Sequence, residues 1–106
     1  QRLASEVRVD DALIDYLLNL VSQTRQSENF ELGISPRGTL ALFRSAQAFA
    51  LIEGRDFCIA DDIKRLIVPV FAHRVIVNAR NLNPKRKNNE AERILQEILQ
   101  KTAVPI

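Results

Sequence analysis

The 106-residue chain carries fifteen Lys and Arg against thirteen Asp and Glu, a formal charge of +2 at pH 7. That length accommodates one domain with a modest core, and so even a balance supplies no overall field to hold the chain on nucleic acid or membrane. No apolar run nears the roughly 20 residues of a membrane span, no signal-peptide pattern opens the chain, and three glycines cannot assemble a GxxxxGK phosphate loop.

Leu3, Ala4 and Val7 suit a short opening helix. Asp10 then precedes Ala12, Leu13, Tyr16, Leu17, Leu20 and Val21, whose spacing predicts a helix capped by Asp10 and running to about Arg25. The polar stretch RQSENFELG, ending at Gly33, reads as a connection. Ser35 followed by Pro36 is a strong helix start, because the hydroxyl can accept an unpaired backbone N–H and proline at the first helical position loses nothing by lacking one. The second helix should run from Pro36 to about Glu53, with Gly54 as its left-handed cap. Its apolar residues cover nearly the whole circumference, which suits the middle of a bundle.

Phe57 to Ile59 reads as a short extended piece. Asp61 and Asp62 then occupy the first turn of a third helix with an inner stripe of Ile63, Leu66 and Ile67. Pro69 should end or kink that helix at Val68, before a further turn through Val70, Phe71 and His73. RVIVNARNLNPKRKNN lacks helical period and reads as a strand-like start followed by an exposed loop. Asn89 with Glu92 resembles a capping box for a last helix whose apolar face is Ile94, Leu95, Ile98 and Leu99. The expected architecture is all-α, a bundle of four to five helices.

Few residues offer chemistry. Cys58 has no cysteine partner and reads as a small buried hydrophobe, in keeping with a reducing cytoplasm. His73, the one histidine, has no Cys or acidic residue at ligand spacing and reads as structural. Asp61 and Asp62, about 100° apart on a helix, read as helix-start residues and not as a catalytic pair. Arg74, Arg80, Lys85, Arg86 and Lys87 fall together without an acidic neighbour, ordinarily the mark of a solvated loop.

Arg37 stands apart, because the first turn of a helix already presents partial positive charge and favours anions. Judged by spacing alone it is an ordinary surface residue. Alternatively, its guanidinium grips a phosphate beside the free N–H groups of its helix.

The segment LGISPRGTLALFRSAQAFALIEGRDFCIADDIKRLIVPVFAHRV resembles the C-terminal helical lid of the MoxR family of AAA+ ATPases. The likeness is an ordered series: G-x-S-P-R at Gly33 to Arg37, the Ala-rich helix with Arg44 and Ala46, G-R-D at Gly54 to Asp56, D-D-I at Asp61 to Ile63, Pro69, and H-R at His73 and Arg74. VDDALIDYLLNLVSQTR and ILQEILQKTAVPI are similar to the family's first lid helix and its C-terminal end. Gly38 stands where related sequences often have Ala. The resemblance implies a single lid domain over 1–106, and the absence of Met anywhere from Gln1 onward fits a piece of a longer ATPase whose nucleotide-binding domain lies N-terminal to it.

It further implies that the chain closes over ATP and Mg2+ held by that domain, with Arg37 as the sensor-2 residue facing the γ-phosphate and Ser35 and Pro36 supporting its helix start. The lid would be catalytically silent alone. It would work in a hexameric ring that remodels or matures partner proteins, often ones with a von Willebrand A-type domain, and the basic stretch 74–87 could meet an acidic surface on a neighbouring subunit. The alternative is a small histone-like nucleic-acid-binding domain, suggested by the helix–strand–helix order around Arg55 to Ile67 and the basic Lys85 to Lys87. Asp56, Asp61 and Asp62 crowd the same turn and argue against it.

Overall fold

The computed structural model describes residues 3–78 and 89–105. Four α-helices occupy them: α1 (Asp11–Gln26), α2 (Pro36–Ile52), α3 (Ala60–Phe71) and α4 (Glu90–Lys101), with a 3-10 turn at Ala4–Glu6. Two short strands, β1 (Phe30–Leu32) and β2 (Ile76–Val77), pair antiparallel. The chain is thus the expected all-α bundle with one addition, a two-stranded ribbon. Its β1 half lies inside the stretch read from sequence as a connection. The expected strand-like start after Arg74 is β2, and the loop expected beyond it falls largely at 79–88, outside the described residues.

Helix α1 buries Leu13, Tyr16, Leu17, Leu20, Val21 and Thr24, the i, i+3, i+4, i+7 stripe that an amphipathic helix turns toward its core. Asp10 caps it by position only. Its carbonyl oxygen accepts from the Leu13 and Ile14 N–H groups at 2.9 and 3.1 Å, while its carboxylate makes no cap bond. Tyr16 is buried and its hydroxyl has no hydrogen-bond partner among the described residues. Burial, together with the Asp61 charge, pushes that phenol up from its ordinary range. Removing an unpaired buried hydroxyl removes a desolvation penalty, so Tyr16→Phe is expected to leave stability within about 1 kcal/mol of wild type or to raise it. A denaturant midpoint well below wild type would show that the hydroxyl is satisfied after all.

Helix α2 is apolar nearly all round, yet only one stripe is deeply buried: Gly38, Leu42, Ala46 and Ala50, with Gln47 beside it. Leu40 remains 46% exposed. The described residues therefore do not enclose the helix on this side, unlike the middle-of-the-bundle place expected for it. Its free apolar side forms, with Ile14, Leu18 and Val21 of α1, a groove of about 630 Å³.

The link from α2 to α3 is held from the chain's start. The Gln47 amide donates to the Val7 carbonyl at 2.8 Å, and Arg8 bridges in parallel to Phe57 within the expected extended piece. Gly54 ends α2 with φ 81, the left-handed region that its missing side chain makes accessible. Helix α3 does not stop at Val68. It continues through Pro69 to Phe71, because Pro69 lies exposed within the last turn while Phe71, wholly buried, anchors that turn to the core. A proline forfeits one backbone bond and crowds the preceding carbonyl, a cost that core burial of Phe71 and half-burial of Val68 and Val70 offsets here.

Helix α4 packs on α1, α3 and β2 through Ile94, Leu95 and Ile98. The capping box expected at Asn89 does not form: at φ −113 and ψ −3 that residue is already close to helical, so its side chain is not aimed at the first-turn N–H groups. The buried Glu90 carboxylate supplies the negative charge at this helix start and accepts from Arg93 at 2.9 Å.

Candidate functional site: the start of helix α2

The expected Ser35–Pro36 start is present in full. Ser35 is extended, its hydroxyl accepts the Gly38 N–H at 3.1 Å, and its carbonyl accepts the Thr39 N–H at 3.0 Å. Pro36 follows as the first helical residue, and Arg37 as the second. Arg37 is exposed, and no described residue forms a hydrogen bond or ion pair with it. The first turn of α2 holds no acidic residue, so the helix's partial positive charge and the guanidinium stand together uncompensated by their own turn.

The position of this helix start is set by the C-terminal turn of α1. Thr24 is buried. Its hydroxyl donates to the Val21 carbonyl at 2.6 Å and accepts the Ile34 N–H at 3.0 Å. Arg25 Nε donates to the Ile34 carbonyl at 2.7 Å. Between them, Gly33 approaches so closely that a Cβ there would lie 2.7 Å from Arg25 Cα and 2.8 Å from the Thr24 carbonyl carbon. The G-x-S-P-R element thus has a mechanical meaning: glycine permits contact with α1, and that contact delivers Ser35 and Arg37 at a fixed place.

Two further arginines reach the same end of α2. Arg25 and Arg74, both exposed, line a shallow groove of about 370 Å³ with Leu32, Gly33, Ile34, Ser35 and Pro36, and no carboxylate of the described residues borders it. The sequence signal for both was faint. Arg25 read as the last residue of a helix and Arg74 as one member of a basic run. Only the fold brings them beside Ser35.

Of the remaining candidates, Asp62 and Cys58 are buried and His73 is exposed. Asp62 is 1% exposed and forms a two-pronged pair with Arg55, at 2.7 and 2.6 Å, while also accepting the Ile59 N–H at 2.8 Å. Burial pushes the Asp62 carboxyl up, but hydrogen bonds from Arg55 and Ile59 and the nearby guanidinium charges outweigh it and leave the group below the ordinary carboxylate range. Arg55 of the G-R-D element thus pairs with the adjacent helix α3, and Asp62 is a helix-start residue. Cys58 is buried, and burial with the neighbouring Asp62 charge pushes its thiol up to about 11, against a smaller lowering by Arg55. Such a thiol is almost wholly protonated at neutral pH and is a poor nucleophile. His73 lies exposed at the end of α3 beside Ala41, Ser45 and Pro69. Among the described residues no cluster of His, Cys, Asp and Glu could hold a metal ion, and no helix is long and apolar enough to cross a membrane.

Comparison with known proteins gives this geometry a context. Residues 22–98 match the family described as the AAA lid domain. The whole chain is 39% identical to part of YeaC of Bacillus subtilis, an uncharacterised protein, and covers 32% of it. Over 99% of the chain the identity to the chaperone MoxR1 of Mycobacterium tuberculosis is 30%, covering 29% of that protein. The chain therefore spans about a third of the length of these relatives. A crystal structure of a candidate ATPase from Cytophaga hutchinsonii superposes on 97% of the chain with a TM-score of 0.82, at 24% identity and over 33% of its own length, a likeness of fold.

Proposed function

This chain belongs to the AAA lid domain family, and from that premise we propose that it is the lid of a MoxR-type AAA+ ATPase, with Arg37 as its sensor-2 residue. The observation that carries the reading is the exposed guanidinium at the second position of α2, without a partner among the described residues, on a turn that has a Ser–Pro start and no acidic residue. A nucleotide triphosphate supplies the negative charge this end wants, and ATP with Mg2+ is held by a nucleotide-binding domain N-terminal to the lid. The lid's contribution in this reading is a cation for the γ-phosphate.

Hydrogen bonds to charged groups are worth about 1.5–3 kcal/mol, enough to bias a lid between open and closed positions by tenfold or more. Loss of the γ-phosphate removes that bias, and the rigid α2 carries the change into the bundle. The apolar groove flanked by Leu18 and Leu40 suits cover by the preceding domain, since exposed apolar patches of this kind mark contact surfaces. The assembly we envisage is a hexameric ring in the cytoplasm that remodels or matures partner proteins, including ones with von Willebrand A-type domains. The lid family match does not favour the histone-like alternative.

The test is Arg37→Ala in the full-length protein. ATP turnover should fall about tenfold or more, the size of one charge-assisted phosphate contact, while the thermal unfolding profile stays at wild type because the side chain is exposed. Unchanged turnover would remove Arg37 from the mechanism.

A further inference from the structure

We infer that Arg74 is a second phosphate-directed cation of the Arg37 site, and that Gly38 is the residue that lets it reach there; the inference rests on the sensor-2 reading of Arg37. Glycine is a poor helix residue, so its place in the first turn of α2 needs a packing reason. Gly38 is buried, and a Cβ on it would stand 3.3 Å from Arg74 Cδ and 3.1 Å from Ile34 Cγ2. The aliphatic stem of Arg74 therefore lies against the bare backbone of the turn that bears Arg37, with Ser35 Oγ also beside that position at 3.6 Å.

The stem is held, but the head is not. The Arg74 backbone N–H donates to the Phe71 carbonyl at 2.9 Å, fixing the residue at the end of α3, while its side chain has no hydrogen bond or ion pair with a described residue. Its groove is shared with Arg25 and is bordered by no carboxylate of the described residues. Arg25 is committed, by its Nε, to the Ile34 carbonyl. Among the described residues nothing engages the Arg74 side-chain donors, and arginine presents them as a planar fork that suits two oxygens of a phosphate. Arg37 lies on α2 and Arg74 in the turn that follows α3, so an anion held by both would tie α2 to the end of α3 as well as report its own presence.

Steady-state ATP hydrolysis by the full-length protein separates the possibilities, with kcat and KM measured for Arg74→Ala, Arg74→Lys, Arg74→Met, Gly38→Ala and Arg37→Ala. The inference expects Arg74→Ala to raise KM for Mg-ATP about tenfold, as loss of one charge-assisted contact does, at an unchanged unfolding temperature. Arg74→Lys, which keeps the charge and the stem but not the planar fork, should recover part of that loss, and Gly38→Ala should raise KM by a smaller factor by displacing the stem. If Arg74→Ala stays within twofold of wild type while Arg37→Ala is impaired, Arg74 is a surface residue and the inference is overturned alone. Arg74→Met, which keeps an aliphatic stem without the charge, should be as impaired as alanine; a methionine variant at wild-type KM would assign the effect to packing and overturn the inference. If neither arginine matters, the sensor-2 reading falls and takes this inference with it.

Discussion

Replacing Gly33 by alanine is expected to destabilise the chain by about 3 kcal/mol, the upper end of the usual cost of overpacking. The new Cβ would meet Arg25 Cα, Arg25 N and the Thr24 carbonyl carbon at 2.7 to 2.8 Å, and these are backbone atoms of a buried helix turn that cannot swing aside as a side-chain tip could. Relief requires the 33–35 segment to lift from α1. That motion breaks the Ile34–Thr24 and Arg25–Ile34 hydrogen bonds and leaves the buried Thr24 hydroxyl short of a donor. Thermal unfolding of the 106-residue chain, followed by circular dichroism, should show a midpoint lowered by about 10 °C or more. The same substitution in the full-length protein should lower ATP turnover, because Ser35 and Arg37 ride on the displaced segment. A midpoint within a degree or two of wild type would mean that the segment adapts, and that its contact with α1 does not set the position of Arg37.

Gly33 also shows where sequence reading runs out. The Ser35–Pro36 start, the Gly54 cap and the α1 stripe were legible because each depends on neighbours within one or two helical turns. A hydroxyl finds an N–H three residues on, a glycine adopts φ 81, and an apolar face recurs every three or four positions. The β1–β2 ribbon was not legible. It joins Phe30 and Leu32 to Val77 and Ile76, across nearly half the chain, in strands too short to carry an alternating pattern. Pro69 left a stop or a kink open, and the stop is overridden by burial of Phe71 in a core that the flanking sequence does not display. Arg37 could be singled out because its cap is local. Arg25 and Arg74 could not be, because their meeting at the α2 start is decided by how α1 and α3 pack.

The second large effect is expected at Asp62, whose removal as Asp62→Ala should cost about 3 kcal/mol, the lower end of the range for breaking a buried ion pair. The carboxylate is 1% exposed, whereas the Arg55 side chain is 22% exposed and can turn its charge toward water once unpaired, which keeps the loss from being larger. The alanine variant also frees the Ile59 N–H at the start of α3 and ends the bond that ties the Gly54 turn to that helix. Asp62→Asn should lose less, because an amide oxygen can still accept one of these bonds. The pH dependence then separates charge from shape. The folded-state pKa of Asp62 lies below its ordinary value, so its contribution is fully present above the ordinary carboxylate range near pH 4 and is lost as acid titrates the folded group. The stability gap between wild type and Asp62→Asn should therefore be constant from about pH 5 to 7 and close progressively below about pH 4. A gap that persists undiminished at pH 2 would assign the effect to amide packing. The Arg55–Asp62 charge pair would then be an accessory to the α2–α3 turn and not its fastener.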